Sequence, residues 1–171
     1  MKCTSEQNKL LRVAALLAIA VAEANAQDDK TSRRIVVSIP DRKLVLLESE
    51  RILKVYDVAV GKPSTPSPHG EFKIVAHVIG PVWKNFGPGP DNPVGTRWLG
   101  LSVKGYGIHG TNAPGSIGKA ASHGCIRMRN RDVEELFELV STGVSVELAD
   151  ERPEIVARIL AEQTPQNLKG E

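Results

Sequence analysis

Apolar positions cluster into short runs from Arg34 onward, beginning with "RIVVSI", "KLVLL" and "RILKVYDVAV". The polar turns "PDR" and "ESE" separate them, and period-two alternation between turns predicts successive hairpin-connected strands. "GKPSTPSPHGE" (61–71) is a proline- and glycine-rich connector, after which "FKIVAHV" resumes the alternation and puts His77 on the face of Lys73 and Val75. Residues 79–97, "IGPVWKNFGPGPDNPVGTR", lack periodicity and hold Trp83 and Phe86. A loop of that length is either a binding wall or lid, or a segment pinned to the core by Trp83. Strand character returns at "WLGLSV", "YGIH" and "VSVEL". Helical spacing appears late, in "RDVEELFELV", with Asn130 as its expected cap, and in "RPEIVARILAEQ", with Pro153 at its first position. Thr164 to Glu171 is expected to be a loose tail. This order excludes a doubly wound parallel sheet and predicts a mainly β fold, a β-sandwich or partly closed β structure with one or two C-terminal helices.

The start of the chain reads differently. Lys2, Lys9 and Arg12 precede the apolar run Val13 to Ala22, and Ala24 and Ala26 form a small-x-small pattern. Residues 1–26 are therefore expected to be a secretory signal peptide cleaved after Ala26. The apolar run is shorter than the roughly 20 residues a membrane span needs, so no stable membrane anchor is expected. Export to the periplasm or cell envelope follows. Cleavage would remove Cys3 and leave Cys125 as a lone thiol, which in an exported chain invites a functional explanation. With 22 basic and 20 acidic residues the charge is nearly balanced, which argues against nucleic acid and against a polybasic membrane-binding surface.

Cys125 lies in "SHGCIRM" (122–128). A thiol attacks carbonyl carbon as its thiolate, so a nucleophilic cysteine needs a neighbouring base or positive field. His123 and His109, the latter ending the predicted strand "YGIH", are the candidates. His109 is favoured because a neighbouring element can bring its ring to the sulfur at a hydrogen-bonding angle. His123 would then orient or buttress the site. Gly124 permits a turn that aims main-chain N–H groups at an oxyanion, and the amides of Gly124 and Cys125 are the expected donors. Two other readings of the same residues stay open. Cys125, His123 and His109 are ligand types that zinc accepts, although a structural site takes four and neither His69 nor His77 has a spacing that ties it in. Cys125 is equally a candidate for an inert buried thiol. Arg127, on the face of Cys125 in an extended segment, either clamps a substrate carboxylate or braces the loop through backbone carbonyls. Ser122 and Tyr106 complete the candidate substrate-binding group with His123, Arg127 and Trp83. No cofactor and no metal are expected.

"YGIHGT" (106–111), "SIGKAASHGCIRM" (116–128) and "RNRDVEELFELV" after it resemble the L,D-transpeptidase catalytic domain of the YkuD type. "TPSPHGEF" (65–72), "NPVGTRWLGLS" (92–102) and the hairpin from Ile35 to Gly61 extend the likeness to about residues 34–149, leaving 150–171 as a C-terminal helix and tail outside it. The twelve-residue spacer between His109 and Ser122 suits one branch of the family. The resemblance implies a β-sandwich domain acting on peptidoglycan peptide stems. Cys125 would attack the bond between the third stem residue and the terminal D-alanine, with His109 as base and a main-chain carbonyl near Gly110 orienting it. D-Alanine would leave a thioester, and an acceptor amine would resolve it into a link from the third residue. Hydrolysis of the same thioester, governed by how Trp83 and Trp98 shape the acceptor side, and a non-catalytic wall-binding module are the alternatives; an intact cysteine and histidine argue against the module.

Overall fold

The structure, a computed structural model, describes residues 33–163. The expected leader (1–26) and tail (164–171) lie outside the described residues. Three strands open the fold as an antiparallel meander: β1 (Arg33–Ser38), β2 (Lys43–Glu48) and β3 (Arg51–Asp57). The short β4 (Val60–Gly61) follows, then the long β5 (Gly70–Ile79), β6 (Arg97–Leu101) and β7 (Gly107–His109). Beyond a single 3-10 turn at Pro114–Ser116 come β8 (Ala120–Ser122), β9 (Ile126–Arg127), α1 (Asn130–Leu139), β10 (Ser145–Ala149) and α2 (Glu154–Gln163). The described residues are therefore mainly β with two helices near their C-terminal end.

Eight strands form one sheet in the order β3-β2-β1-β10-β5-β6-β7-β9, and β4 pairs with β8 in a separate two-stranded sheet. The main sheet curls. Buried residues from its two ends, Leu44, Leu46 and Tyr56 on one side and Ile108, Ile126 and Met128 on the other, belong to the same core as Val133, Leu136 and Phe137 of α1. Just past β3, Ala59 exchanges two hydrogen bonds with Arg127 of β9, at 2.8 and 2.9 Å, so the ends of the sheet are clasped together.

The first two strands depart from simple alternation. Ile35, Val36 and Val37 are all buried, as are Leu44 to Leu47. One set faces the main core, while Val36, Val45 and Leu47 pack beneath Val156 and Ile159 of α2. A strand covered on both faces carries a continuous apolar run. Arg152 fastens the start of this helix by three bonds of 2.6 to 3.0 Å to Asp41 in the β1–β2 turn.

β5 corrects another expectation. The register with β6 slips between Ile74 and Ala76, a bulge that leaves Val75 as an extra residue. Each residue beyond it changes face. His77 thus shares the side of Ile74, where its ring stacks on Phe137 with centroids 3.4 Å apart and its Nε2 lies 3.0 Å from the Phe137 carbonyl oxygen.

Loop 80–96 is not pinned by Trp83. Trp83 and Phe86 exchange main-chain hydrogen bonds at the loop tip and stay 44% and 45% exposed. Asn92, 1% exposed, organises the base instead: its Nδ2 donates to the carbonyls of Pro81 (2.8 Å) and Gly87 (2.9 Å), and its Oδ1 accepts from the Val94 N–H (3.0 Å).

The 61–67 turn is tightly packed around Gly61. A Cβ on Gly61 would come within 2.4 Å of both the Ser67 nitrogen and the Thr65 carbonyl oxygen, whereas one on Gly115 would meet nothing within 4 Å. Gly61→Ala is expected to lower unfolding free energy by about 1–3 kcal/mol, and Gly115→Ala by less than about 0.5 kcal/mol, in urea titrations.

Candidate active site

β7 and β9 lie side by side in parallel, with Ile108 opposite Ile126 and His109 opposite Arg127. Ile108 and Ile126 point into the core. Alternation sends His109 and Arg127 to the other face, and Cys125, two residues before Arg127, joins them. Residues sixteen apart in the chain are thus turned to the same surface.

His109 is held from several sides. It is 4% exposed, and its Nδ1–H donates to the Gly110 carbonyl at 2.6 Å, which leaves Nε2 as the ring's basic nitrogen. Trp98, its direct partner across β6 and β7, stacks on it with centroids 5.3 Å apart and planes 18° from parallel. Glycine makes this cover possible. A Cβ on Gly107 would sit 2.6 Å from the indole Cζ2, and one on Gly100 would sit 3.0 Å from the indole nitrogen. Burial lowers the His109 pKa to about 4; the Gly110 bond opposes the shift and the Arg127 charge adds to it.

Cys125 is partly buried, and its thiol lies 3.7 Å from the Gly105 carbonyl oxygen. Burial pushes this thiol above its ordinary value, while a main-chain hydrogen bond at Gly107 and the positive charge of Arg127 pull it back. At neutral pH the resting pair is therefore thiol and neutral imidazole. Among the described residues the Arg127 guanidinium has no hydrogen-bond or ion-pair partner; Arg127 braces the fold through its backbone to Ala59 and leaves its charge free.

The turn before the sulfur is locked by Ser122. Its Oγ donates to the Cys125 carbonyl at 2.6 Å and accepts the Gly124 N–H at 2.9 Å. Its own carbonyl accepts from the Lys62 N–H (3.1 Å) and the Thr65 hydroxyl (3.2 Å). Gly124 has φ +110°, and a Cβ there would lie 2.5 Å from the Tyr106 ring and 3.1 Å from the Pro66 carbonyl oxygen. Only glycine fits. The expectation that Gly124 donates to an oxyanion is corrected by this geometry: its N–H is already engaged by Ser122, whereas the Cys125 N–H has no partner among the described residues.

Of the remaining candidates, Tyr106 packs on the Gly124 turn, while His123 is exposed and its ring forms no hydrogen bond among the described residues. Gly110, and not His123, orients His109. Trp83 sits at the exposed tip of loop 80–96. Its ring has no stacking partner among the described residues; Trp98 is the tryptophan on the histidine. The packing of the 61–67 turn on Ser122 and Gly124 left no signal in the spacing. Among the described residues no group of three or more His, Cys, Asp or Glu side chains is placed to hold a metal ion. His69 approaches Asp150 at 4.0 Å and His77 stacks on Phe137.

The family model for the L,D-transpeptidase catalytic domain (YkuD) matches residues 32–148, and the chain belongs to this family of enzymes. The YkuD protein of Bacillus licheniformis is 50% identical over 120 residues, covering 70% of this chain and 67% of its own length. Its namesake in Bacillus subtilis is 48% identical over 112 residues, covering 66% and 63%. This chain spans about two thirds of the length of these relatives. The catalytic domain of the Enterococcus faecium L,D-transpeptidase, solved by NMR, superposes with a TM-score of 0.58 at 26% identity over 70% of this chain and 98% of that one.

The lowered His109 pKa fixes a pH dependence of stability. An unfolded chain takes up a proton at this residue near pH 6.5, but the folded one only near pH 4. The contribution is complete above about pH 6.5, declines as pH falls, and is lost below about pH 4, a total of about 3 kcal/mol. His109→Asn is expected to flatten the unfolding free energy against pH between these limits, measured by urea titration at each pH.

Proposed function

We propose that this protein is an exported L,D-transpeptidase that uses Cys125 to transfer the acyl group of a peptidoglycan stem to an amine. The reading is carried by one observation: Cys125, His109 and Arg127 share a surface on which the histidine's Nδ1–H is taken by Gly110, leaving a neutral Nε2. Proteins of this family act on peptidoglycan stem peptides.

In this mechanism His109 Nε2 takes the thiol proton as sulfur attacks the carbonyl carbon of the third stem residue. General-base assistance is needed because the thiol is mostly protonated at neutral pH. The oxyanion that forms accepts the unpartnered Cys125 N–H. Collapse breaks the C–N bond, and His109 returns its proton to the departing D-alanine nitrogen, leaving a thioester. An acceptor amine then adds to the thioester and gives its proton to His109, and the thiolate leaves and is reprotonated. Arg127 offers its free guanidinium to a stem carboxylate. Trp98 keeps water from one face of the histidine ring, which favours an amine over hydrolysis. Residues 1–26, acting as a leader, would deliver the domain to the envelope, where the substrate lies.

Incubation with a diamino-acid tetrapeptide stem is expected to add the tripeptide acyl mass to Cys125 and release D-alanine, read by intact mass spectrometry. Cys125→Ala should do neither, and His109→Ala should slow acylation about 10²- to 10⁴-fold. Because His109 serves as base only while neutral, the acid limb of the acylation rate should fall near pH 4 and not near 6.5. Wild-type protein that stays unmodified would overturn the proposal, and hydrolysed product without transfer to a supplied amine would make the protein a hydrolase.

A further inference from the structure

The peptide unit that fixes His109 is itself gripped from behind. Its carbonyl, from Gly110, accepts the His109 Nδ1–H at 2.6 Å. Its N–H, from Thr111, donates to the Asn130 Oδ1 at 3.0 Å. Both bonds belong to one planar group, so they form an unbroken chain from asparagine through peptide to imidazole.

Asn130 was expected to cap α1, and it does not. Arg129 occupies the cap position without a side-chain capping bond, and Asn130 is the first helical residue. Its amide turns instead toward the strand that ends in His109. The seat is closely cut. A Cβ on Gly110 would lie 2.1 Å from the Asn130 Oδ1, and one on Gly95 would lie 2.2 Å from it. Gly110 has no positive φ, so it is space for the amide oxygen, and not backbone conformation, that calls for glycine after the histidine.

We infer that Asn130 is a positioning residue for His109: by holding the Thr111 N–H it orients and polarises the Gly110 carbonyl, which in turn keeps the imidazole proton on Nδ1. Hydrogen bonds in series strengthen one another, and the partner of one ring nitrogen decides the state of the other. The inference rests on His109 being the base. It goes further in assigning the orientation of that base to a side chain on a different element, through a bond that spans nineteen residues from Thr111 to Asn130.

The test uses histidine labelled with ¹⁵N in the purified protein, alongside single-turnover acylation by a tetrapeptide stem. In wild type the His109 nitrogens should report a single tautomer protonated at Nδ1. Asn130→Ala should convert this to a tautomer mixture and slow acylation about tenfold, equivalent to about 1.4 kcal/mol, without changing half-saturation. Asn130→Asp keeps an acceptor oxygen and adds a charge suited to a helix start, so it should restore both the tautomer and most of the rate. An unchanged tautomer and rate in Asn130→Ala would overturn the inference, as would equal losses in the alanine and aspartate variants, which would mark a purely structural clip. A wild type that is never acylated would sink the proposed function, and the tautomer measurement would still decide the role of Asn130.

Discussion

The parallel pairing of β7 with β9 is the constraint on which the site depends. Parallel neighbours cannot be joined by a tight turn. The chain therefore needs the crossover from Gly110 to Cys125, and it uses that excursion to build β8, the Ser122 lock and the glycine turn before the sulfur. His109 and Cys125 gain a shared surface because their strands run the same way in a fixed register. Everything else near the site secures that register. Met128 donates to the His109 carbonyl, Arg127 bonds to Ala59, and the 61–67 turn presses on Gly124.

The electrostatics follow from how deep this arrangement lies. Burial opposes charge on both partners, lowering the basicity of His109 and raising the thiol. The free Arg127 charge works in opposite senses on the two: it helps the thiolate and hinders the imidazolium. A resting ion pair is disfavoured, and in the proposed mechanism proton transfer is coupled to attack on the substrate. The exposed His123, although nearest to the sulfur in sequence, takes no part in orienting the base.

Much of this was legible in the sequence, and the failures have physical causes. The hairpins, both helices and the common face of Cys125 and Arg127 follow from periodicity; His109 is placed beside them as a residue of a neighbouring element. The face of His77 does not, because a single extra residue at Val75 reverses the count and no local feature announces it. The proposed oxyanion donor was half legible: the need for glycine at 124 could be read, but not that Ser122 takes its N–H, since that bond depends on a turn closing in three dimensions. Asn130 read as a helix cap because asparagine usually serves as one, and its true partner lies on another element. Glycines 100 and 107 carried no message until the indole of Trp98 was seen to lie on them.

β10 has a consequence for the order in which this molecule can assemble. It is the last strand among the described residues, yet it occupies the middle of the sheet, between β1 in parallel and β5 in antiparallel pairing. Within the main sheet, β1–β3 are joined to β5–β9 only through residues 145–149; the Ala59–Arg127 bridge and the β4–β8 pair close the fold from the opposite edge. The main sheet is thus continuous only once residues 145–149 are in place, and contacts of such long sequence separation make that step slow.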